Sequence, residues 1–544
     1  IKQAPDANNT SLEVESMRRL LTLFKILTVI FILLALQLVR WQLVRSDLAK
    51  IALRQRSEAL PLDSGRAQIL DRDGKPLTGG GSRKSLGAFP VLIPNPQKEA
   101  LPWQLAPILG KSPESIADNI KKGKPIFLAR GLNKWQLEAL KPYLGEGLVV
   151  VHEKLRYREP ALAPHLIGYL RTADQKGVTG IEALANEELS HVAPVELAAI
   201  VDGNRRLIPG LGYRILGGEG NQGAGLVTTL DRKIQEVAQE ELIKTGQRGA
   251  VVVVDATNGN LLAAASNPTF DPNQVESALS ASGSPLLNRT IHNYYPGSVF
   301  KLVVTAAALE EKLTTPEERF FDPGYRDVGR VRFRCWLEGG HGDLNLVDAL
   351  AQSCNSVYVE LGQRLGTKMI SYAERMGLGI KTGIGLPQEE QGSLPRGKFA
   401  KQDFGNMAMG QRGIQATPMQ VARLLVTLLQ GRETQLNLLP GRETFGPSVI
   451  SPQTRVTVRS MMAEVVGRGT GSLAQVPLYG AGGKTGSAQT GRLSPWGEPE
   501  VDAWFAGFFP LLNPKYVIVV LLEGGGGGGN VAAPIFRRIA MKIS

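Results

Sequence analysis

The sequence predicts an α+β fold behind an N-terminal membrane helix, on three observations. An apolar run begins near residue 20, a turn-rich stretch follows to about residue 225, and strands, then helices, then strands again run from there to residue 544. A chain of 544 residues is too long for one compact core, so two or more domains are expected.

Residues 20–39 read LLTLFKILTVIFILLALQLV, with Lys25 as the only charge. That length and composition match a helical span, and Lys25 lies near enough to one end to snorkel. No small-residue cleavage site follows, so the segment reads as an uncleaved anchor over 17–40 behind a short cytoplasmic segment, 1–16. Arg18 and Arg19 before the span and Arg40 and Arg45 after it nearly cancel the charge rule for orientation. The C-terminal mass is placed outside the membrane on the chemistry argued below. Thr22, Thr28 and Gln37 are polar within the span and costly against lipid unless a neighbouring helix accepts them.

Residues 41–225 form an elongated pedestal punctuated by Pro and Gly. Its pieces are GRAQILDRDGKPL around Asp71, helical stretches near 115–145, LAPHLIGYL and GVTGIEALANEELS, and none carries a catalytic constellation. A glycine-rich linker at 218–225 then precedes LVTTLDRKIQEVAQEEL, a strand leading into an amphipathic helix.

Residues 226–544 carry the α+β pattern. AVVVVDA and LLAAAS are paired strands around a TNGN turn, and helices are expected at about 299–312, 345–366 and 416–430. VDAWFAGFFP and YVIVVLLEG close the pattern as two more strands. The glycine run 524–529 reads as a flexible turn before a final helix.

Composition narrows the chemistry. A chain that is 43% hydrophobic and 21% charged is not dominated by disorder, and a net charge of +12 asks for an anionic neighbour. No Lys/Arg run interleaved with aromatics marks a nucleic-acid surface. Cys335 and Cys354 are too few for a disulfide scaffold and form no CxxC. The histidines at 152, 165, 191, 292 and 341 include no HxxxH pair, so neither a zinc site nor a cofactor is expected.

Three short motifs carry the chemistry. In YYPGSVFKLVV, Ser298 and Lys301 stand three apart where a helix begins, so the amine can reach the hydroxyl. A serine is a poor nucleophile until a base takes its proton, and a partly desolvated lysine can do that. In AQSCNSVYVELG, Ser353 and Asn355 can relay a proton and hold a peptide carbonyl, although alone they read better as a helix cap. In AGGKTGSAQT, small residues let a strand edge approach a ligand, while Lys484, Thr485 and Ser487 around Gly486 can bind a carboxylate. Lys381, Thr382 and Gly383 repeat the KTG letters but are crowded by Gly and Pro, so the Lys484 copy is preferred. The ordered set S-x-x-K, S-x-N, K-T-G is far more specific than any one member.

With these motifs the chain resembles the class B, monofunctional penicillin-binding proteins, from the anchor to the C-terminus. GRAQILDRDGKPL is similar to the pedestal signature of that family; TTLDRKIQ, NRTIHNYYPGSVFK, CWLEGGHGDLNLVDALAQSCNS and ATPMQVA are similar to segments of its transpeptidase domain. The resemblance implies a dimerisation-like pedestal and an antiparallel sheet flanked by helices, with an all-helical subdomain. It implies a serine D-Ala-D-Ala transpeptidase that cross-links peptidoglycan stem peptides and is blocked by β-lactams. Ser298 would attack the penultimate D-alanine, with Lys301 as its base. Ser353 would pass the proton on, and Asn355 would hold the substrate amide. Lys484 and Thr485, beside Gly486 and Ser487, would bind the terminal carboxylate. The N–H groups of Ser298 and Ser487 would form the oxyanion hole. A single-pass location in the cytoplasmic membrane and a polytopic SEDS-type glycosyltransferase as partner are implied as well.

Two positions depart from the family pattern: Ser487 stands where threonine is usual, and Arg412 where glycine is usual. Cys335 and Cys354 are read as buried thiols rather than a disulfide, and His341, Trp504 and Phe505 as packing residues. Rival readings are a D,D-carboxypeptidase, a non-catalytic β-lactam receptor and a β-lactamase. The first keeps the site and changes the acceptor, the second lacks a cytoplasmic effector, and nothing identifies a deacylating base for the third.

Overall fold

A computed structural model describes residues 7–41, 57–145, 147–217, 225–493 and 497–544, with side chains of the first helix from Val14 onward. The linker expected at 218–225 lies outside the described residues apart from Gly225, and so do residues 1–6 of the expected cytoplasmic segment.

The first helix, α1, runs Ala7–Val39, and its part Val14–Val39 is long and apolar enough to cross a membrane. The hydroxyls of Thr22 and Thr28 donate to the carbonyls of Arg18 and Phe24, four residues back, at 2.8 Å. This corrects one expectation: neither threonine needs a neighbouring helix, because the helix's own backbone satisfies both. Only Gln37 keeps that demand.

The chain divides into two compact units. One holds α1 and residues 57–62, 83–153 and 195–217. Here the strands Gly81–Ala88, Ile126–Arg130 and Leu148–Leu155 form one three-stranded sheet, and Ser57–Pro61, Glu196–Ile200 and Tyr213–Leu216 form another. The helical stretch expected near 115–145 is interrupted by the strand Ile126–Arg130, whose Leu128 and Ala129 are buried against the helices around it. Its five residues, IFLAR, are too few and too evenly apolar to show a strand period.

The other unit joins residues 63–82 and 154–194 to 218–544. Within it Arg66 is buried against Glu182 at 2.9 Å, and Arg156 reaches the same carboxylate at 2.7 Å. Asp71 is buried too, its Oδ1 accepting from the backbone N–H groups of Asp73 and Lys75 in a tight turn.

The large sheet of this unit has five antiparallel strands: β1 (Gly249–Asp255), β2 (Leu261–Asn267), β3 (Gly482–Leu493), β4 (Pro499–Phe509) and β5 (Tyr516–Leu522). Their order is β2-β1-β5-β4-β3, so β3 is an edge. Val252 and Val254 face one core with Val517, Val519 and Trp504, and Val251 and Val253 face another with Ile518, Val520 and Phe505. Both faces are covered, which is why β1 and β5 read as unbroken apolar runs rather than alternations. Helices α2 (Arg232–Ile243) and α8 (Gly528–Ile543) cover the second face. The first is covered by α3 (Lys301–Glu310), α4 (Leu346–Ala351), α5 (Asn355–Leu365), α6 (Pro418–Gln430) and α7 (Pro452–Gly467). Each fully buried valine or leucine contributes about 1.5–3 kcal/mol, so this double coverage makes the sheet a rigid platform.

Two expected elements change. The helix expected at 345–366 is two helices, α4 and α5, broken at Gln352 to Cys354. The glycine run is no simple turn, because Gly528 and Gly529 already belong to α8. A side chain at Gly528 would meet the carbonyl oxygens of Trp504 and Gly486 at 2.2 and 2.4 Å. Only glycine lets the helix start directly on the sheet edge.

Candidate active site

Ser298 lies in a 3-10 turn, Gly297–Phe300, that runs straight into α3. Lys301, three residues after Ser298, is the first residue of α3. Gly297 has φ +53°, and a Cβ there would press on Ala488 and on the carbonyl of Ser487 at 3.1–3.2 Å. Likewise a Cβ at Gly486 would come within 3.0 Å of the Pro296 carbonyl. Glycine on each side therefore allows the serine turn to lie against strand β3. Ser298 is half-buried while Gly297, Val299, Phe300 and Lys301 beside it are buried.

The Lys301 ammonium is fully buried and donates to Ser353 O at 2.8 Å, Asn355 Oδ1 at 2.8 Å and Ser353 Oγ at 3.3 Å. Burial brings its pKa down from 10.5 to about 8, partly offset by the Cys354 and Cys335 thiols. Ser353 has φ +55°, a conformation that L-residues avoid. It is held there by the Lys301 bond to its carbonyl and by Cys354 N–H bonding to Ala349 O at 2.9 Å. The helix therefore ends in a local Schellman-type cap with Ser353 in the left-handed position, and the long-range bond from Lys301 adds to it.

On edge strand β3, Lys484 is also fully buried and donates to Ser353 Oγ at 2.9 Å. Burial first, and then the charge of Lys301, hold its pKa well below the usual range. Thr485 shares a hydrogen bond with Thr470, Oγ1 to Oγ1, at 2.7 Å. Ser487 Oγ accepts the N–H of Gly528, so the hydroxyl at this departure caps the start of α8. The fold therefore brings Lys301, Ser353, Asn355, Lys484 and Thr485 into one hydrogen-bonded array beside Ser298. Lys381, by contrast, is exposed in a loop, and Thr382 is buried with its N–H and hydroxyl on Glu389. Trp504 donates its Nε1–H to Tyr295 O at 3.1 Å, and Phe505 packs on Phe536, so both are packing residues.

One cluster escaped the sequence reading. Asp322 accepts from Ser356 Oγ at 2.6 Å, His341 Nδ1 at 2.7 Å and Cys354 Sγ at 3.2 Å. Burial pushes its carboxyl up, but these hydrogen bonds outweigh it and hold the group well below the usual carboxylate range. Cys335 and Cys354 are free thiols. The ligand atoms of Asp322, Cys335, His341 and Cys354 all lie within 4.8 Å of one another, and the donor types suit a zinc-like ion. These donors come from separate segments, and two of them, His341 and Cys354, already hydrogen-bond to Asp322. An ion there would brace the loop that carries Ser353. The cluster signal was present only as CWLEGGHG ahead of SCN, with no helical spacing to read.

Arg412 takes φ +58°, the conformation a glycine would favour, and its guanidinium pairs with Asp403 at 3.1 Å. The loop keeps the glycine-type backbone without the glycine.

Two known protein families match the chain. Residues 249–541 match the penicillin-binding protein transpeptidase domain, and 61–191 the penicillin-binding protein dimerisation domain. The chain is 30% identical over 534 residues to stage V sporulation protein D of Bacillus subtilis, covering 92% of this chain and 81% of that protein. It is 26% identical to the peptidoglycan D,D-transpeptidase MrdA of Acinetobacter baumannii, over 86% of this chain and 78% of that one. Among solved structures, the complex of PBP2 and MreC from Helicobacter pylori gives a TM-score of 0.71 at 24% identity, covering 90% of this chain and 98% of that one. A structure described as a peptidoglycan synthase complex coordinating polymerization and crosslinking gives 0.68 at 25%, covering 96% and 98%.

Proposed function

This chain belongs to the penicillin-binding protein transpeptidase family, and from that premise we propose that Ser298 is the residue acylated in its reaction. The chain is a peptidoglycan D,D-transpeptidase. Ser298 Oγ attacks the carbonyl of the penultimate D-alanine of a stem peptide, and its proton passes to the neutral amine of Lys301. A pKa near 8 keeps an appreciable share of that amine free at neutral pH. The carbonyl oxygen gains charge as the tetrahedral centre forms, and the N–H groups of Ser298 and Ser487 receive it. Such donors are typically worth about 3–4 kcal/mol of barrier. Close approach of the serine turn to β3 supports that pairing.

The C–N bond then breaks, and Ser353 Oγ hands a proton to the departing D-alanine amine. Asn355 holds the substrate amide, while Lys484 and Thr485, beside Gly486 and Ser487, bind the terminal carboxylate. An amine of a neighbouring stem attacks the acyl-enzyme and completes the cross-link. The observation that carries this reading is the Ser353 hydroxyl within hydrogen-bond reach of both buried lysines. The test is covalent labelling with a fluorescent penicillin followed by peptide mass spectrometry. The adduct is expected on Ser298 and absent from Ser298→Ala; an adduct elsewhere overturns the assignment.

The same reading places α1 across the cytoplasmic membrane as a single pass, with residues 226–544 as the catalytic domain outside it and 41–225 as the pedestal. It also gives the chain a polytopic glycan polymerase as partner. Support comes from the length of the apolar segment, from Gln37 within it, and from likeness to a peptidoglycan synthase complex.

A further inference from the structure

Thr470 stands between the two motif-bearing segments of the site. Its N–H donates to the carbonyl of Ala351, the last residue of α4, at 3.0 Å, and its hydroxyl reaches the same oxygen at 3.3 Å. Its shorter contact, 2.7 Å, is with the hydroxyl of Thr485 on β3. Two glycines make this placement possible. A Cβ at Gly469 would fall 2.2 Å from Ala351 O, and one at Gly529 would fall 2.3 Å from Thr470 O.

The proton count has a consequence. Each hydroxyl has one hydrogen and two lone pairs. Without a ligand, Thr485 can donate to Thr470, which donates to Ala351 O, and every acceptor is served. A bound carboxylate only accepts, so Thr485 must turn its hydrogen towards the ligand. Its oxygen then needs a donor, and Lys484 Nζ at 3.4 Å is a poor one. Thr470 is the group placed to supply it, by rotating its hydrogen from Ala351 O to Thr485. A hydroxyl that accepts one hydrogen bond donates a stronger one.

We propose that Thr470 is a positioning residue that makes the site selective for an acyl donor ending in a carboxylate, by donating to Thr485 when that hydroxyl turns to the ligand. The inference rests on the reading of Lys484 and Thr485 as the carboxylate site. It predicts that Thr470 matters for a carboxylate, which only accepts, and little for the matching carboxamide, whose N–H can itself donate to the Thr485 oxygen, unlike a residue that merely holds β3 in place.

The experiment uses the full chain in detergent and a pair of D-alanyl thioesters whose leaving groups end in a carboxylate or in the matching carboxamide. Thr470→Val is expected to lower acylation efficiency for the carboxylate by about tenfold, through KM rather than kcat, and to leave the carboxamide within twofold. Thr470→Ser should restore the wild-type preference, and Thr470→Ala, which removes the hydroxyl without putting a methyl in its place, should show the same discrimination as Thr470→Val. Equal losses on both thioesters, or no loss on either, overturn the proposal. Thr485→Val serves as the control. If it discriminates and Thr470→Val does not, this inference alone fails; if neither discriminates, the carboxylate reading fails with it.

Discussion

Lys484 Nζ lies 2.9 Å from Ser353 Oγ, across 131 residues of sequence. The same hydroxyl is 3.3 Å from Lys301 Nζ, so one serine joins two buried amines. In the proposed mechanism this makes Ser353 the route by which a proton taken from Ser298 reaches the leaving group. Ser353→Ala should therefore lower the acylation rate by roughly 10²–10³-fold, within the range of general acid–base catalysis. Stopped-flow labelling with a penicillin measures it, and a loss under threefold would remove Ser353 from the proton path.

Lys301 should govern the pH dependence. Acylation is expected to rise with pH and level off above about 8, as the amine loses its proton. Lys301→Ala should lose both the rate and that limb.

Stability should carry the same signature with a definite sign. The amine releases its proton near 8 in the folded chain and near 10.5 in the unfolded one, so between these values the unfolded chain binds more protons. Wild-type stability should then rise with pH across this window relative to Lys301→Met, by up to about 3 kcal/mol. Urea unfolding of the two proteins at pH 7 and pH 10 tests this; parallel changes would mean that the lysine is not shifted.

The two KTG copies separate by substitution. Lys484→Ala should cut acylation by carboxylate-bearing substrates at least tenfold, while exposed Lys381→Ala should leave it within twofold. The reverse ranking would move the carboxylate site to the other copy.

Arg412 offers a test of backbone strain. An L-residue at φ +58° costs about 1–2 kcal/mol, and a half-exposed ion pair with Asp403 returns at most about 1 kcal/mol. Arg412→Gly should be as stable as wild type or slightly more so, and Arg412→Ala the least stable of the three. Thermal melts order them, and a Gly variant below the Ala variant would refute the strain account.

The proposed polymerase contact can be tested on both parts of the chain. Gln37→Leu and substitutions at exposed Arg72, Asp73 and Lys75 should weaken co-purification with a polytopic polymerase. Asp71 itself is unsuitable, because it is buried and shapes its own turn. Unchanged complex formation with all of these would leave α1 a passive tether.

The sequence by itself determined the long apolar helix, the chain order of the strands in the large sheet, and three motifs whose letters are set by chemistry. Runs such as VVVV in β1 and YVIVVLL in β5 are legible because burial on both faces demands apolar residues at every position. Tertiary structure alone decided the rest. The break between α4 and α5 has no glycine or proline to announce it: Ser353 takes the positive φ of a Schellman-type cap, and only the fold brings Lys301 to its carbonyl. The strand at Ile126–Arg130 depends on its partner Gly81–Ala88, which lies forty residues earlier in the chain. Asp322, Cys335, His341 and Cys354, like Thr470 and Thr485, meet only because separate segments pack together. Local pattern records which surfaces must be buried; which hydroxyl or thiol meets which depends on long-range packing that no local spacing encodes.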